Sequence, residues 1–155
     1  MRITDIQVVN LFYEYPSRAG FRYAGGVCTG RLTSLVRVQT DEGIEGLGSA
    51  YSNPDMVRCV VEGNLCDLLL GDDPTEVEAL WLKMYKLTRW YGRKGAALSA
   101  LGAVDTALWD IRGKALGMSI SELLGARRDR VPAYASALLW HEHPADLAAE
   151  AVRHV

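Results

Sequence analysis

The sequence contains no long apolar run, no long basic run and no marked excess of charge of either sign. Its 155 residues carry a formal net charge of -2, so neither nucleic acid nor an anionic membrane surface is an expected partner. No apolar stretch is long enough to cross a bilayer. Asp5 interrupts the start of the chain before the apolar core of a signal peptide could form. These absences favour a cytoplasmic protein.

Cysteine is also scarce, and its spacing excludes two further classes of protein. Cys28, Cys59 and Cys66 form no metal-type pair, and an odd number of cysteines is not typical of a disulfide framework. We expect three free thiols, mostly buried, in a reducing compartment. The sequence lacks a Walker A motif, a G-x-G-x-x-G fingerprint and a G-x-S-x-G nucleophile elbow. Its hydrophobic content of 49% is sufficient for one domain with a core.

Three strands are predicted near the start of the chain. Residues 3–13 and 32–40 are rich in β-branched types, and residues 44–51 follow a short turn at Gly43. So short a turn requires the second and third strands to form an antiparallel hairpin, with which the first strand pairs. The second strand places these side chains on one face: Ser34, Val36, Val38 and Thr40. Two glycines in the third strand predict close packing or a bulge there: Gly46 and Gly48.

Residues 14–30 lie between the first two strands and show no periodicity. With Pro16 and several glycines, they predict a long loop, and long loops in compact domains are usually functional or disordered. The guanidinium and phenol groups of Arg18, Arg22 and Tyr23 suit a polar, anionic, hydroxylated ligand. The alternative is that these groups are simply exposed to solvent.

Two helices are predicted after the strands. Asn53 is a typical N-cap before a proline at the first helical position, and that helix should continue to about Leu70 and end at Gly71. Asp73 repeats the start signal, and Glu76 is placed to complete a capping box. The second helix then has one apolar face, formed by Val77, Leu80, Trp81, Met84 and Leu87.

A third helix is predicted over residues 96–116 and is closed by Gly117. Its many alanines and glycines would let another helix or a sheet approach closely. Ser119 and Glu122 form an S-x-x-E capping box that opens a short helix to Leu124. The apolar stripe of the third helix consists of Ala97, Ala100, Leu101, Val104, Leu108, Ile111 and Ala115.

The last part of the chain predicts a different arrangement. Residues 131–138 are apolar on both faces, which is typical of a parallel strand buried on both sides. His143 and Pro144 open an amphipathic helix. Three strands followed by three helices indicate an α+β domain, a three-stranded antiparallel meander followed by a helical bundle. A lone strand–helix unit cannot bury its own faces, so we interpret it as the first β–α unit of a parallel α/β structure that is otherwise absent from this chain.

The third helix carries a recognisable signature. Residues 103–117, AVDTALWDIRGKALG, resemble the pattern A-[IV]-D-x-A-L-W-D-I-x-G-K-x-x-G of the mandelate racemase/muconate-lactonizing branch of the enolase superfamily. The start of the first strand, residues 2–6, and the hairpin, residues 36–48, are similar to the same family. Two positions depart from it: Ser119-Ile120 stands where a proline usually falls, and Ala126 replaces the last glycine of L-L-G-G.

The resemblance implies a two-domain, magnesium-dependent enzyme. Residues 1–127 would form an enolase-like N-terminal capping domain, and residues 128–155 the first strand and part of the first helix of a modified TIM barrel. The barrel of such enzymes supplies three acidic ligands for Mg²⁺ and the general bases that remove the proton α to a carboxylate. The resemblance places these residues beyond residue 155, so we expect neither catalytic residues nor metal ligands in this chain.

The implied substrate is a small carboxylate, first of all a sugar acid. We expect dehydration of an acid sugar as the reaction, with racemisation or epimerisation next and cycloisomerisation after that. The expected assembly is a homo-oligomer without nucleic-acid or membrane partners. The alternative from another class is a non-catalytic α+β binding or oligomerisation module.

A cap is useful because TIM-barrel sites lie at the open ends of the strands, where cap loops can exclude water and select the substrate. The two cap loops of the family correspond here to residues 14–30 and 51–56. Trp140 lies just past the predicted barrel strand, at the barrel rim. The expected substrate-binding residues are therefore Arg18, Arg22, Tyr23, Tyr51 and Trp140.

Two groups of charged residues have structural explanations instead. Asp105, Asp110 and Lys114 lie within one helix, and carboxylates in the middle of a helix rarely reach a substrate. We expect them to form hydrogen bonds or ion pairs that lock the helices of the cap and the junction between the cap and the barrel. The basic cluster of Arg89, Arg93 and Lys94 is explained by cations at a helix C-terminus.

His141-x-His143 leaves an alternative open. Amidohydrolases hold a divalent metal with such a pair, because side chains two residues apart on a strand point the same way. A site of that kind needs further histidines and an aspartate from later strands. His143 before Pro144 is also explained as the start of a helix.

Overall fold

The structure is a computed structural model that describes residues 1–16, 20–136, 141 and 143–154. The chain divides into two compact units, one formed by Met1–Leu11 and Leu32–Ala126 and the other by Phe12–Arg31 and Arg127–Val155. The strands are β1 Ile3–Glu14, β2 Phe21–Tyr23, β3 Gly26–Cys28, β4 Gly30–Thr40 and β5 Glu45–Ala50. The helices are α1 Pro54–Val60, α2 Cys66–Leu69, α3 Val77–Thr88, α4 Ala96–Leu116, α5 Ile120–Leu123 and α6 Pro144–Val152.

The sheet is the predicted three-stranded meander, with the order β1-β4-β5. β4 and β5 pair antiparallel, with Val36 opposite Gly48 and Val38 opposite Gly46, and Gly43 makes the turn with a φ of +77°. The predicted inner face of β4 is confirmed, because Val36 and Val38 are fully buried. Apolar side chains on alternate positions therefore fix which face of the sheet meets the helices.

The prediction of an irregular loop over residues 14–30 is wrong in part. β2 and β3 form a short antiparallel ribbon inside it, with Arg22 opposite Val27 and Tyr23 opposite Gly26. A two-residue turn joins the strands, and Gly26 has a φ of +135°, which favours glycine. Strands of three residues are too short to give a periodic signal in the sequence.

The predicted helix from Pro54 to about Leu70 is interrupted. α1 ends at Val60, a π-helical segment covers Val61–Leu65, and α2 follows. Its predicted ends are confirmed: the Asn53 side chain accepts hydrogen bonds from two backbone N–H groups of the first turn, and Gly71 has a φ of +81°. The π-helical segment keeps two core side chains, Val61 and Leu65, fully buried.

α3 starts and packs differently from its prediction. Glu76 makes no side-chain cap hydrogen bond within the described part of the chain. Asp73 instead accepts hydrogen bonds from the backbone N–H and the hydroxyl of Thr75. The predicted face was partly wrong, because Trp81 and Leu87 are exposed. The buried residues of α3 are Val77, Leu80, Met84 and Thr88.

α4 has the predicted bounds and lies in the compact unit formed by Met1–Leu11 and Leu32–Ala126. The predicted stripe is confirmed except for Ala115, which is exposed near the end of the helix. Gly117 ends the helix in the left-handed conformation with a φ of +65°, and the capping box of Ser119 and Glu122 opens α5. The buried residues of the stripe are Ala97, Ala100, Leu101, Val104, Leu108 and Ile111.

The predicted strand over residues 131–138 is not formed in its described part. Residues 131–136 have no regular secondary structure, and Val131 and Tyr134 are 73% and 91% exposed. A strand needs a neighbour for its N–H and C=O groups, and no described strand of this chain pairs with these residues. The following helix is confirmed: α6 begins at Pro144 after His143. A domain boundary at 127/128 remains a prediction.

The cysteines are free, as expected, but they are less buried than predicted. Cys59 is exposed, while Cys28 and Cys66 are half-buried. Desolvation raises the pKa of the Cys66 thiol. None of the helices that the structure describes combines the length and the apolar character needed to span a membrane.

Candidate functional site

The hairpin that precedes the second cap loop is fixed to α4 by close backbone packing. A Cβ added to Gly46 would lie 2.0 Å from the carbonyl oxygen of Ala107, and one added to Gly48 would lie 1.9 Å from that of Ala103. Only glycine leaves room for this approach. The prediction of close packing at these two glycines is therefore confirmed, and β5 is held directly against the helix.

Asp110 and Lys114 strengthen the same junction. Asp110 Oδ2 accepts a hydrogen bond from the Leu47 N–H at 2.9 Å and one from Lys114 Nζ at 2.7 Å. Lys114 Nζ also donates to the Glu45 carbonyl oxygen at 2.7 Å. The two side chains thus bridge the outer edge of β5 to α4. Both side chains are structural, as predicted, but within the described residues they join the sheet to a helix and not one helix to another.

Asp105 differs from these two residues. Its side chain is half-buried, and it has no hydrogen bond or ion pair with any residue in the described part of the chain. Desolvation raises the pKa of its carboxyl group. The predicted role in locking the helices is therefore not seen for Asp105 within these residues.

A clamp on the outer edge of β1 holds the start of the helical bundle. Glu62 Oε1 accepts a hydrogen bond from the Val8 N–H at 2.9 Å, and Arg58 Nη2 donates to the Val8 carbonyl oxygen at 3.3 Å. Two side chains thereby satisfy the groups that a further strand would otherwise pair. The sequence analysis missed this clamp, for which the available signal was the Arg58–Glu62 pair at i, i+4.

The second cap loop is short and ends on α1. Tyr51 is 76% exposed, so its ring and hydroxyl are available to a ligand. Asn53 is the N-cap, and its Oδ1 accepts from the N–H groups of Asp55 and Met56 at 3.1 Å each. The interpretation of Asn53 as a structural residue is confirmed.

The first cap loop carries Arg22 and Tyr23 on the β2–β3 ribbon. Because successive side chains of a strand point to opposite faces, Arg22 and Tyr23 cannot contact a ligand from the same face of the ribbon. Tyr23 shares its face with Phe21, whose ring lies 6.3 Å away, and its own ring covers Gly25. The ribbon therefore presents Phe21 and Tyr23 on one face, where the Arg31 guanidinium lies 6.0 Å from the Phe21 ring centroid, and Arg22 on the other.

The structure does not bring all predicted site residues together. Arg18 and Trp140 lie outside the described residues, and their roles remain predictions. Arg22 and Tyr23 belong to one compact unit, and Tyr51 belongs to the other. Their exposure leaves each of them available for a ligand, and the proposed shared site remains a prediction.

The histidines near the C-terminus have other contacts within the described residues, and the metal pair considered as an alternative is not tested by them. His141 Nε2 lies 2.5 Å from Glu150 Oε2, while His143 precedes α6. Desolvation raises the pKa of the Glu150 carboxyl group, but hydrogen bonds from His141 and His154 outweigh this and lower it. Across the described ranges, no three His, Cys, Asp or Glu side chains are placed to hold a metal ion together.

The described residues also do not fit a magnesium site. Mg²⁺ prefers oxygen ligands in an octahedral arrangement. The group formed by Glu150, His141 and His154 instead offers one carboxylate between two imidazoles. Imidazole suits softer metals. We derive no chemistry through a metal from these residues.

The basic turn between α3 and α4 borders a surface cavity of about 450 Å³. Arg89 is the C-cap of α3, as expected for a cation near a helix C-terminus. Its guanidinium lies 4.7 Å from the ring centroid of Trp90, which is 81% exposed. Arg93 has a φ of +36°, which is uncommon for a residue other than glycine.

Comparison with known proteins identifies the family of most of this chain. Residues 7–125 match the family described as the mandelate racemase/muconate lactonizing enzyme, N-terminal domain. This chain belongs to that family. The resemblance inferred from residues 103–117 is therefore confirmed, and the family lies in the enolase superfamily.

Characterised relatives of this N-terminal domain are longer proteins. A D-galactonate dehydratase family member from Paenibacillus sp. (strain JDR-2) is 45% identical over 109 residues, which cover 67% of this chain and 26% of that protein. The D-galactarolactone cycloisomerase of Agrobacterium fabrum (strain C58) is 41% identical over 107 residues, covering 68% and 28%. The chain thus spans about a quarter of the length of these curated relatives.

Solved structures agree with the family assignment. An enolase-superfamily member from Polaromonas sp. JS666 superposes with a TM-score of 0.88 at 32% sequence identity. The superposition covers 99% of this chain and 41% of that chain. The α+β capping fold is therefore shared with an enolase-superfamily protein.

Proposed function

We propose that this chain is the N-terminal, substrate-selecting part of an enzyme that abstracts the proton α to the carboxylate of a sugar acid. Dehydration is the first expected reaction, because a relative at 45% identity is named as a D-galactonate dehydratase family member. The observation that carries the proposal is the family match over residues 7–125. Cycloisomerisation is the second candidate, since another relative is a D-galactarolactone cycloisomerase.

The chemistry itself is assigned to a second domain. We propose that a modified TIM barrel outside the described residues supplies the general bases and the carboxylates for Mg²⁺. The cap contributes by excluding water and by contacting the non-reacting part of the substrate, and such contacts are productive when they strengthen in the transition state. In this arrangement the chain described here has no catalytic activity of its own.

The proposal is tested with the complete gene product and a panel of sugar acids in D₂O containing Mg²⁺. Dehydration removes one water from the substrate, which mass spectrometry detects. Racemisation leaves the formula unchanged and introduces deuterium at the α-carbon, which ¹H NMR detects. Cycloisomerisation opens the ring of a sugar-acid lactone to give an isomer of the same formula, so the panel also includes lactones. Binding of sugar acids without any of these products would favour a non-catalytic module and contradict the proposal.

The first cap loop is tested separately by kinetics. In the complete enzyme, Arg22→Ala should lower kcat/KM about tenfold to a hundredfold, since a hydrogen bond to a charged group contributes about 1.5–3 kcal/mol. Lys86→Ala is the control, because it removes one positive charge at an exposed position of α3. Unchanged kinetics for combined alanine replacements at Arg18, Arg22 and Tyr23 would remove this loop from substrate selection.

A further inference from the structure

The turn between α3 and α4 carries positive charge that no acidic residue of the same stretch balances. No Asp or Glu lies between Glu78 and Asp105, although the whole chain has a formal net charge of -2. The turn itself contains three exposed cations, Arg89, Arg93 and Lys94. None of them forms an ion pair with any residue that the structure describes. Their charges are therefore available to an anion.

The end of α3 explains only part of this basic cluster. Arg89 is the C-cap of α3, where the negative end of the helix dipole favours a cation. Arg93 and Lys94 instead precede Gly95, the N-cap of α4, where the positive end of the dipole disfavours them. Among the described residues, α4 has no acidic side chain in its first turn and no side-chain cap hydrogen bond. Two cations thus meet the positive end of a long helix, an arrangement that a bound anion would stabilise.

Arg93 has a backbone conformation that usually belongs to glycine. Its φ is +36°, and a side chain in this region strains the backbone, whereas glycine adopts it freely. Two other positions of the same turn, Gly92 and Gly95, are glycines. Arg93 therefore keeps its guanidinium at a cost in stability, and residues held in this way cluster at functional sites.

The cavity beside the turn has the size and the lining of a small-molecule site. Its volume of about 450 Å³ lies within the range of about 300–1,000 Å³ that is typical of ligand pockets. Trp90 and Tyr91 are 81% and 55% exposed, and the Arg89 guanidinium lies 4.7 Å from the Trp90 ring centroid, which holds cation and ring together. The lining residues are Arg89, Trp90, Tyr91, Gly92, Arg93 and Lys94.

The chemistry of this lining favours a phosphorylated ligand with a sugar body. Guanidinium and ammonium groups next to a helix N-terminus are typical phosphate-binding groups. A phosphate monoester carries a charge of about -1.5 to -2 at pH 7, which matches several unpaired cations better than the single charge of a monocarboxylate does. The negative face of an indole ring attracts polarised C–H groups, such as those on the flat side of a sugar ring.

We propose that the cavity of the α3–α4 turn binds a sugar phosphate. The phosphate contacts Arg93, Lys94 and the first N–H groups of α4, and the sugar lies against Trp90. This ligand differs from the sugar acid of the proposed function, and its binding does not depend on that reaction. A test that measures binding can therefore fail or succeed independently of any test of the reaction.

Calorimetric titration of the complete gene product with glucose 6-phosphate and ribose 5-phosphate is the first test. The reference ligands are glucose, which lacks the phosphate, and inorganic phosphate, which lacks the sugar. At least one of the two esters should bind saturably and about tenfold more tightly than inorganic phosphate, since the ring contact adds to the phosphate contact. Glucose should not bind at this site. Failure of both esters to bind, or binding no tighter than that of inorganic phosphate, would overturn the proposal.

Arg93→Gly separates a binding role of this residue from a structural one. Glycine relieves the strained backbone, so the melting temperature should stay equal or rise. Loss of the guanidinium should weaken binding of the ester about tenfold to a hundredfold. Lys86→Ala is the control, because it removes one exposed cation of α3 that does not line the cavity. Unchanged binding in Arg93→Gly, or an equal loss in Lys86→Ala, would contradict a site built around the turn.

Trp90→Ala and a dicarboxylate define the two ends of the ligand. Trp90→Ala should weaken binding of the ester and leave that of inorganic phosphate unchanged, because the ring contacts only the sugar. Galactarate has a sugar-like body with two carboxylates, and its affinity should not change in Arg93→Gly. Equal losses for ester and phosphate in Trp90→Ala would exclude the sugar contact. A loss of galactarate affinity in Arg93→Gly as large as that of the ester would assign the site to dicarboxylates and overturn the proposal.

Discussion

Replacing Gly48 with alanine tests the contact between sheet and helix on which the cap depends. The new Cβ would lie 1.9 Å from the Ala103 carbonyl oxygen, whereas real Cβ contacts are essentially never under 3.0 Å. The helix and β5 would therefore have to separate by about 1.1 Å. The obstructing atom belongs to the backbone of α4, so no side-chain rotation can relieve the clash.

The expected cost follows from this displacement. Overpacking a core usually lowers the free energy of unfolding by about 1–3 kcal/mol. A gap of about 1 Å between two packed surfaces also removes about a quarter to a half of the van der Waals attraction between them. We expect the upper end, about 3 kcal/mol, because the whole helix has to move. That loss is a large fraction of a typical stability of about 5–15 kcal/mol.

Urea unfolding measures the effect. For Gly48→Ala the midpoint should fall by about 1–2 M at an unchanged slope. Gly63→Ala is the matched control, since its Cβ meets open space, and it should leave stability equal or higher. The double variant Gly46→Ala/Gly48→Ala should cost less than the two single changes together, because one displacement relieves both clashes. A change within about 0.5 kcal/mol for Gly48→Ala would refute the close approach.

Three further predictions concern hydrogen bonds that hold the cap together. Asp110→Ala should lower the free energy of unfolding by about 1 kcal/mol, measured by urea titration, because the Leu47 N–H loses its acceptor. Glu62→Ala should make the N–H groups on the outer edge of β1, such as that of Val8, exchange hydrogen faster than in the wild type. The reason is that the Val8 N–H loses the carboxylate that accepts from it. Side-chain and backbone hydrogen bonds from Ser119 lower the pKa of the Glu122 carboxyl group. The stability that these hydrogen bonds contribute is therefore present above the ordinary pKa of glutamate. It is lost as the pH falls through the lowered pKa. Thermal melts of wild type and Ser119→Ala should therefore differ more at pH 7 than below the lowered pKa, where only the loss of the N-cap bond from the Glu122 N–H to Ser119 Oγ still separates them.

Local signals predicted several helix ends and the hairpin correctly. The N-cap Asn53, the left-handed Gly117 and the Ser119 capping box each satisfy backbone groups within a few residues. Such signals need no information about the rest of the fold. The bounds of α4 were predicted for the same reason, since a long apolar stripe and a closing glycine lie in one stretch of sequence.

The position of the candidate site remains a prediction, and the geometry of its residues could not be predicted from the sequence. The exposed Tyr51 and the long connection with Arg22 and Tyr23 follow from the sequence and its family. Which face each side chain occupies depends on the register of the β2–β3 ribbon, in which Arg22 pairs with Val27. A ribbon of three residues per strand leaves no periodic pattern from which that register could be read.

The sequence by itself determined the family, through the motif at residues 103–117, and it determined the three long strands and most of the core residues because apolar periodicity and caps act locally. Tertiary structure decided the π-helical segment Val61–Leu65, the clamp of Arg58 and Glu62 on β1, and the buried side of α3. These features satisfy groups that are distant in sequence, as when Glu62 accepts from Val8 across 54 positions. No local propensity encodes such a contact, since its energy exists only once β1 and the helices have packed.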